Sequence, residues 1–390
     1  MKVLLRAPLL SLSGYGIHSR QIFEWLETIP GIELTVEILQ WGTTTWLVNE
    51  STQNGLIGRI MEKSRELQTP YDVTFQVQLP DEWDTKLGKI NIGVSAYVET
   101  NKCSQKWLDA TNKMDHIIVP SNFTKNVILK SGNVKPEISV VPEWFNQEIE
   151  NNKKSKPKLH FNKKFNFLMI GTVTSRNPDD DRKNMLYGIK WFCETFKDNK
   201  NVGLILKTSF GKGTMIDRHL TLNTVKGVLK EVRKGDYPKV TVVHGNMTQK
   251  EIADLYKHSR VKCLISPTRG EGYGLPLVEA AASGLPVMAT NWSGHLDFLE
   301  DKFIKIDYDL VNINKSRIDN RIFVEGTKWA MPNELQFKRK LKEVYENIEK
   351  FESNSKVLKK NVLKNFSKKS IIKIYDEVFE KIKIKNSIEG

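Results

Sequence analysis

The residues best suited to chemistry lie together between positions 266 and 287, in the run Ser266-Pro267-Thr268-Arg269-Gly270-Glu271-Gly272-Tyr273-Gly274-Leu275-Pro276-Leu277-Val278-Glu279 and the small apolar residues that follow. An apolar strand ends at Ser266 and a glycine-rich loop follows. A helix then opens with Pro276 in its first turn and stops at Gly284, the usual asymmetry of helix ends. Loop glycines let backbone N–H groups approach a phosphate, and a helix N-terminus adds partial positive charge. Glu279 falls about one turn inside the helix, whereas Glu271 precedes it, so the two carboxylates are not a same-face pair. Each can meet a different part of an elongated ligand: Glu279 suits a vicinal ribose diol and Glu271 suits sugar hydroxyls. By itself, such a loop fits a tight strand-to-helix turn equally well.

The elements that must position these residues alternate between β-rich apolar runs and amphipathic helical stretches, the pattern of α/β domains with parallel sheets. The length, 390 residues, favours two domains. In the first half, strands are expected at Lys2–Arg6, Val73–Val77, Ile90–Tyr97, Ile117–Pro120 and Ile138–Val141, with helices over Ile17–Leu26 and from Ser121, as cap, to Lys130. Residues 151–164 are polar, charged and nearly devoid of apolar side chains, and read as a linker between a first domain at 1–150 and a second at 165–367. The second has strands at Phe165–Gly171, Val202–Lys207, Val240–His244, Lys262–Ser266 and Pro286–Thr290. From about Asn333 the chain is Lys/Glu-rich and helical, ending in a helix and tail at 368–390.

Residues 1–150 carry 14 Lys/Arg and 18 Asp/Glu, while the remainder carries 46 and 28. The first half is therefore no basic nucleic-acid surface, and the second could attract phosphates, DNA or an anionic membrane face. No stretch approaches the apolar length of a membrane span. Cys103, Cys193 and Cys263 lack metal-ligand spacing and fit a reducing, cytoplasmic setting.

The stretch from Glu271 to Glu279 resembles the E-x7-E motif of glycosyltransferase family 4, retaining enzymes of the B-type fold. Val119-Pro120-Ser121-Asn122-Phe123 and Val140-Val141-Pro142 resemble that family's end of the first domain. Gly171 to Asn184, with Arg176 and Arg182-Lys183-Asn184, resembles its basic donor-phosphate loop, and Gly14-Tyr15-Gly16 its first glycine loop. The resemblance implies two Rossmann-like domains facing a cleft, with a C-terminal helix crossing back to the first. It implies that Arg176 and Lys183 neutralise a donor pyrophosphate, UDP- or GDP-linked, and that Glu279 holds the ribose. Glu271 and the backbone of Tyr273, Gly274 and Leu275 would face the transferred sugar and phosphate, with Gly14 and Gly16 facing the donor from the first domain.

The acceptor implied is a hydroxyl of a glycan or lipid-linked molecule, with a hydroxylated base in DNA as the alternative. A non-catalytic polyanion-binding protein, or one touching an anionic membrane peripherally, is the competing class. No cofactor is implied beyond the donor. No metal is expected either, because Asp179-Asp180-Asp181 reads as a solvated loop and no Asp-x-Asp pair stands at a strand end. Two departures from the family pattern bear on the acceptor side. Val98-Glu99-Thr100 stands where many relatives place a histidine, leaving that role vacant or with Glu99. Glu143-Trp144-Phe145-Asn146 replaces the usual glycine, marking Trp144 as a candidate acceptor wall. His116 and His244 read as strand-end residues.

Overall fold

The computed structural model describes residues 1–151 and 159–386. The middle of the expected linker, 152–158, and the end of the expected tail, 387–390, lie outside the described residues. The chain forms two units. One comprises Met1–Trp144, Asp319–Val324 and the chain from Lys368; the other comprises Phe145–Ile318 and Glu325–Ser367.

The first unit is a six-stranded parallel sheet of β1 (Lys2–Ala7), β2 (Glu33–Ile38), β3 (Tyr71–Val77), β4 (Gly88–Val94), β5 (His116–Val119) and β6 (Glu137–Val140), in the order β2-β1-β3-β4-β5-β6. Its helices are α1 (Gly14–Leu26), α2 (Thr52–Lys63), α3 (Gln105–Thr111) and α4 (Asn122–Ser131). Helix α1 starts three residues earlier than its apolar periodicity suggests. Ser13 caps it, its side chain accepting from the Gly16 N–H, which satisfies one of the donors a helix start leaves unpaired. Ser121 caps α4 in the same way, accepting from Thr124.

The second unit holds a parallel sheet of β7 (Phe165–Ile170), β8 (Val202–Thr208), β9 (Lys239–His244), β10 (Val261–Ser266), β11 (Val287–Thr290) and β12 (Ile304–Ile306). The strand order is β12-β11-β10-β7-β8-β9, the 3-2-1-4-5-6 order of a Rossmann sheet. A hairpin of β13 (Tyr308–Asn312) and β14 (Lys328–Pro332) follows. The helices are α5 (Met185–Thr195), α6 (Met215–Val232), α7 (Gln249–Tyr256), α8 (Leu275–Ser283), α9 (Leu296–Leu299), α10 (Glu334–Glu346) and α11 (Ile348–Asn365). All seven residues of β8 are buried, as a parallel strand covered by helices on both faces requires. Alternate strand residues feed two cores. Leu168, Ile205 and Leu264 pack with α7 and α8, while Phe167, Leu204 and Cys263 pack with α5, α6 and α10. Phe145 and Ile149 pack into the α7–α8 core.

The last helix, α12 (Lys368–Lys385), belongs to the first unit. Its buried residues Ile371, Tyr375, Phe379 and Ile382 repeat at helical spacing along one face. Tyr375 stacks on Trp25 with ring centroids 4.7 Å apart, and Asp376 accepts from the Trp25 indole N–H at 2.9 Å. A chain whose last helix returns to its first domain is what the family resemblance implies. Cys103, Cys193 and Cys263 are all buried thiols, and no helix among the described residues is long and apolar enough to cross a membrane.

Candidate functional site

In the second unit's sheet the strand order reverses between β10 and β7, the place where open parallel sheets bind ligands outside the carboxyl ends of their strands. The β7–α5 loop carries Arg176, Arg182 and Lys183. The β10–α8 loop carries Glu271. Strand order thus makes neighbours of two loops nearly ninety residues apart in sequence.

Across that switch point, Lys183 Nζ donates to both carboxylate oxygens of Glu271 at 2.7 Å. Thr268 Oγ1 donates to Glu271 Oε1 at 2.9 Å. An Arg182 guanidinium nitrogen stands 3.6 Å from Oε2 while donating to the Gly270 carbonyl at 2.7 Å. Glu271 is 5% exposed. Burial alone would raise its carboxyl, but Lys183 and Arg182 outweigh burial and hold it down at about 2. Sequence reasoning assigned Lys183 to phosphate and Glu271 to sugar; the structure pairs them with each other.

Behind Glu271 stands a buried polar chain that sequence reasoning missed. The Glu271 N–H donates to Ser293 Oγ at 2.9 Å, and Ser293 Oγ lies 3.4 Å from His295 Nδ1. His295 Nε2 lies 2.7 Å from the Thr290 carbonyl, which can only accept, so that nitrogen carries the proton. Burial pushes the His295 imidazole below its ordinary value, which favours the neutral ring. Gly294 closes the turn. A Cβ there would stand 2.1 Å from the Gly272 carbonyl, so the β11 and β10 loops touch backbone to backbone. The available signal was the polar run Asn291-Trp292-Ser293-Gly294-His295 directly after a buried strand.

Helix α8 starts at Gly274, whose φ of 107° is a backbone region open to glycine, and no side chain caps it. Its N-cap residue is a glycine, which supplies no side-chain acceptor to the positive end of the helix. Tyr273 itself is buried, its ring packed against Phe298. Leu275 opens α8 and is part-buried. Glu279 is part-buried on α8, its Oε2 accepting from the Tyr256 hydroxyl at 3.1 Å. Burial pushes its carboxyl up to about 7. Two glutamates eight residues apart thus carry opposite shifts.

Arg176 is exposed and lines a cavity of about 180 Å³ with Thr208 and Phe210. Gly14 and Gly16 open α1 in the first unit. A Cβ on Gly16 would stand 2.0 Å from the Ser11 carbonyl, while one on Gly14 would meet nothing within 4 Å.

Two expectations are corrected. Of Asp179-Asp180-Asp181, expected as a solvated loop, only Asp179 is exposed, while Asp180 is 5% and Asp181 0% exposed. Asp181 accepts from the Met185 N–H at 2.7 Å and from Thr174 through both its N–H and its hydroxyl. The start of α5 draws this carboxylate inward, because its first N–H groups need an acceptor. Trp144 is no exposed wall. It is 4% exposed, and its backbone N–H and carbonyl both bond the Gln21 side chain. Glu99 is part-buried, and His116 and His244 do stand at strand ends. Among the described residues no group of three or more His, Cys, Asp or Glu could hold a metal ion.

Comparison with known proteins points the same way. Residues 224–314 match the family described as "Glycosyl transferases group 1". A probable sucrose-phosphate synthase of Solanum tuberosum is 32% identical over 124 residues, which are 30% of this chain and only 11% of the potato protein. The structure is similar to a glycosyltransferase of Rickettsia africae, at 14% identity and TM-score 0.66, covering 98% of each chain. It is also similar to an Anabaena protein solved with UDP and glucose, at 12% identity and TM-score 0.62, covering 98% of this chain and 100% of that one. The chain has the B-type glycosyltransferase fold, and its second unit carries the sequence pattern of glycosyl transferases group 1.

Proposed function

We propose that this protein is a retaining, metal-independent glycosyltransferase that takes a sugar from a nucleoside-diphosphate donor, UDP- or GDP-linked, to a hydroxyl of a glycan or lipid-linked acceptor. The observation carrying this reading is the meeting of Lys183 and Glu271 at the switch point, beside the uncapped start of α8.

Breaking the sugar–phosphate bond leaves the electron pair on the phosphate oxygen, so negative charge grows there. Lys183, Arg176 and the α8 N-terminus supply fixed positive charge for it, as transition-state stabilisation requires. In this reading the donor phosphate draws the Lys183 ammonium from Glu271, and the freed carboxylate accepts hydrogen bonds from the transferred sugar. Glu279 accepts from the ribose, and the Gly14–Gly16 turn faces the donor. The fold likeness to a protein solved with UDP and glucose supports the donor class. The match to sucrose-phosphate synthases covers too little of those proteins to carry an acceptor.

The test is a panel of nucleotide sugars scored by thermal stabilisation and then by donor hydrolysis, with and without EDTA. One nucleoside diphosphate sugar should stabilise and be hydrolysed equally in both conditions. Loss of hydrolysis in EDTA, restored by manganese, overturns metal independence. Stabilisation by no nucleotide sugar overturns the donor reading.

A further inference from the structure

Directly after β8, the second unit bears an exposed apolar tip. Phe210, Met215, Ile216 and Leu220 are 44%, 75%, 74% and 36% exposed. Single exposed apolar residues need no explanation, but four within eleven positions do.

This tip is built rather than loose. The Gly213 N–H donates to the Phe210 carbonyl at 3.0 Å, closing a turn. Gly211 and Gly213 have φ of 55° and 74°, and a Cβ on Gly211 would stand 2.6 Å from the Asp217 carboxylate. Thr214 and Asp217 form a reciprocal capping box at the start of α6. Met215 and Ile216 therefore leave a helix start held by its own hydrogen bonds. Phe210 and Leu220 also line the cavity of about 180 Å³ that Arg176 shares, whereas Met215 and Ile216 stand outside it.

Charge identifies what covers it. Residues 210–230 contain Lys212, Arg218, Lys226 and Lys230 and a single acid, Asp217. Asp217 Oδ2 is engaged by the Thr214 N–H and hydroxyl. All four cations are exposed. Side chains three-quarters exposed project outward instead of lining a groove, and projecting apolar groups ringed by cations match the boundary between headgroups and acyl chains.

We propose that the Phe210–Leu220 tip inserts into an anionic membrane surface, with Lys212, Arg218 and Lys226 on the headgroups. The inference does not depend on the chemistry assigned to the switch point.

The test is co-sedimentation of the full chain with phosphatidylcholine vesicles and with phosphatidylcholine–phosphatidylglycerol vesicles. Wild-type protein should pellet with the anionic vesicles and stay in solution with the neutral ones, with binding that weakens as salt rises. Met215→Ser with Ile216→Ser should lower affinity by at least about tenfold, since both side chains lose apolar burial. Lys212→Glu with Arg218→Glu should weaken it by about fivefold or more at each position. All four substitutions are at exposed positions, and unchanged thermal midpoints confirm intact folding. Failure of wild type to pellet with anionic vesicles at low salt overturns the proposal. So does wild-type binding by the folded Met215/Ile216 variant. A concentration-dependent dimer that the same variant abolishes, without vesicle binding, assigns the tip to a second copy of the chain and overturns it too.

Discussion

Lys183 and Glu271 form a two-pronged ion pair, the ammonium 2.7 Å from each carboxylate oxygen, between loops that follow adjacent central strands. Glu271 thus neutralises the Lys183 ammonium, and any phosphate that Lys183 binds must compete with this carboxylate.

That competition separates three variants. Lys183→Ala removes a charge-assisted contact worth about 1.5–3 kcal/mol, so affinity for a nucleoside diphosphate should fall roughly tenfold to a hundredfold. Glu279→Ala should also weaken the diphosphate, through lost ribose contacts. Glu271→Ala should leave diphosphate affinity at or above wild type, because Lys183 loses its internal partner, while donor turnover collapses. Calorimetric titration followed by donor hydrolysis measures all three. Weaker diphosphate binding in a folded Glu271→Ala protein would refute this division of labour.

The same pair stabilises the fold, with a defined pH dependence. The Glu271 carboxyl is depressed from 4.5 to about 2, so its contribution is complete above the unfolded value and is lost as pH falls from 4.5 toward 2. Lys183→Ala should lower stability at neutral pH by about 1–3 kcal/mol, discounted because Arg182 and Thr268 remain and Lys183 is part-exposed. Denaturant unfolding of both proteins from pH 7 downward should show the difference shrinking through that window. A difference that stays constant would mean the pair contributes nothing through charge.

Glu279 should impose the opposite pH sensitivity on ligand binding. Its carboxyl is raised to about 7, so it is largely ionised at pH 8 and largely protonated at pH 6. The ionised form is the stronger acceptor and offers both oxygens to the hydroxyls of a diol, so nucleoside affinity should rise with pH across this interval. For folding the sign is reversed. Ionisation is harder in the folded chain, so stability from this group declines as pH rises from 4.5 to about 7. Glu279→Gln should flatten the binding profile. An equally steep profile in that variant would place the titration elsewhere.

The two first-unit glycines should respond unequally to alanine. Gly16→Ala places a Cβ 2.0 Å from the Ser11 carbonyl, a backbone atom that cannot swing away. Overpacking of this kind costs about 1–3 kcal/mol or more. Gly14→Ala meets open space and should leave the thermal midpoint within a degree or two of wild type. Equal midpoints for the two variants would contradict the packing described for the β1–α1 turn.

The sequence by itself determined what depends on near neighbours along the chain. Buried parallel strands such as β7, β8 and β10 read as continuous apolar runs. Ser121 and the Gly274–Pro276–Gly284 frame marked helix ends, and the place of Glu271 in the loop before α8 kept it off the helix that carries Glu279. Strand β2 escaped notice because Glu33–Ile38 is a half-polar edge strand with only two fully buried positions. The β13–β14 hairpin escaped too, being outside the alternation of strand and helix. Tertiary structure alone decided the partners. Lys183 meets Glu271 because β7 and β10 are neighbours in the sheet, an adjacency with no local signature. Trp144 meets Gln21 through its backbone N–H and carbonyl across more than a hundred residues, whereas Asp181 turned inward locally, toward the N–H groups at the start of α5. For Lys183 with Glu271 and for Gln21 with Trp144, two groups far apart in sequence resolve an electrostatic or hydrogen-bonding need, and only the folded backbone brings them within reach.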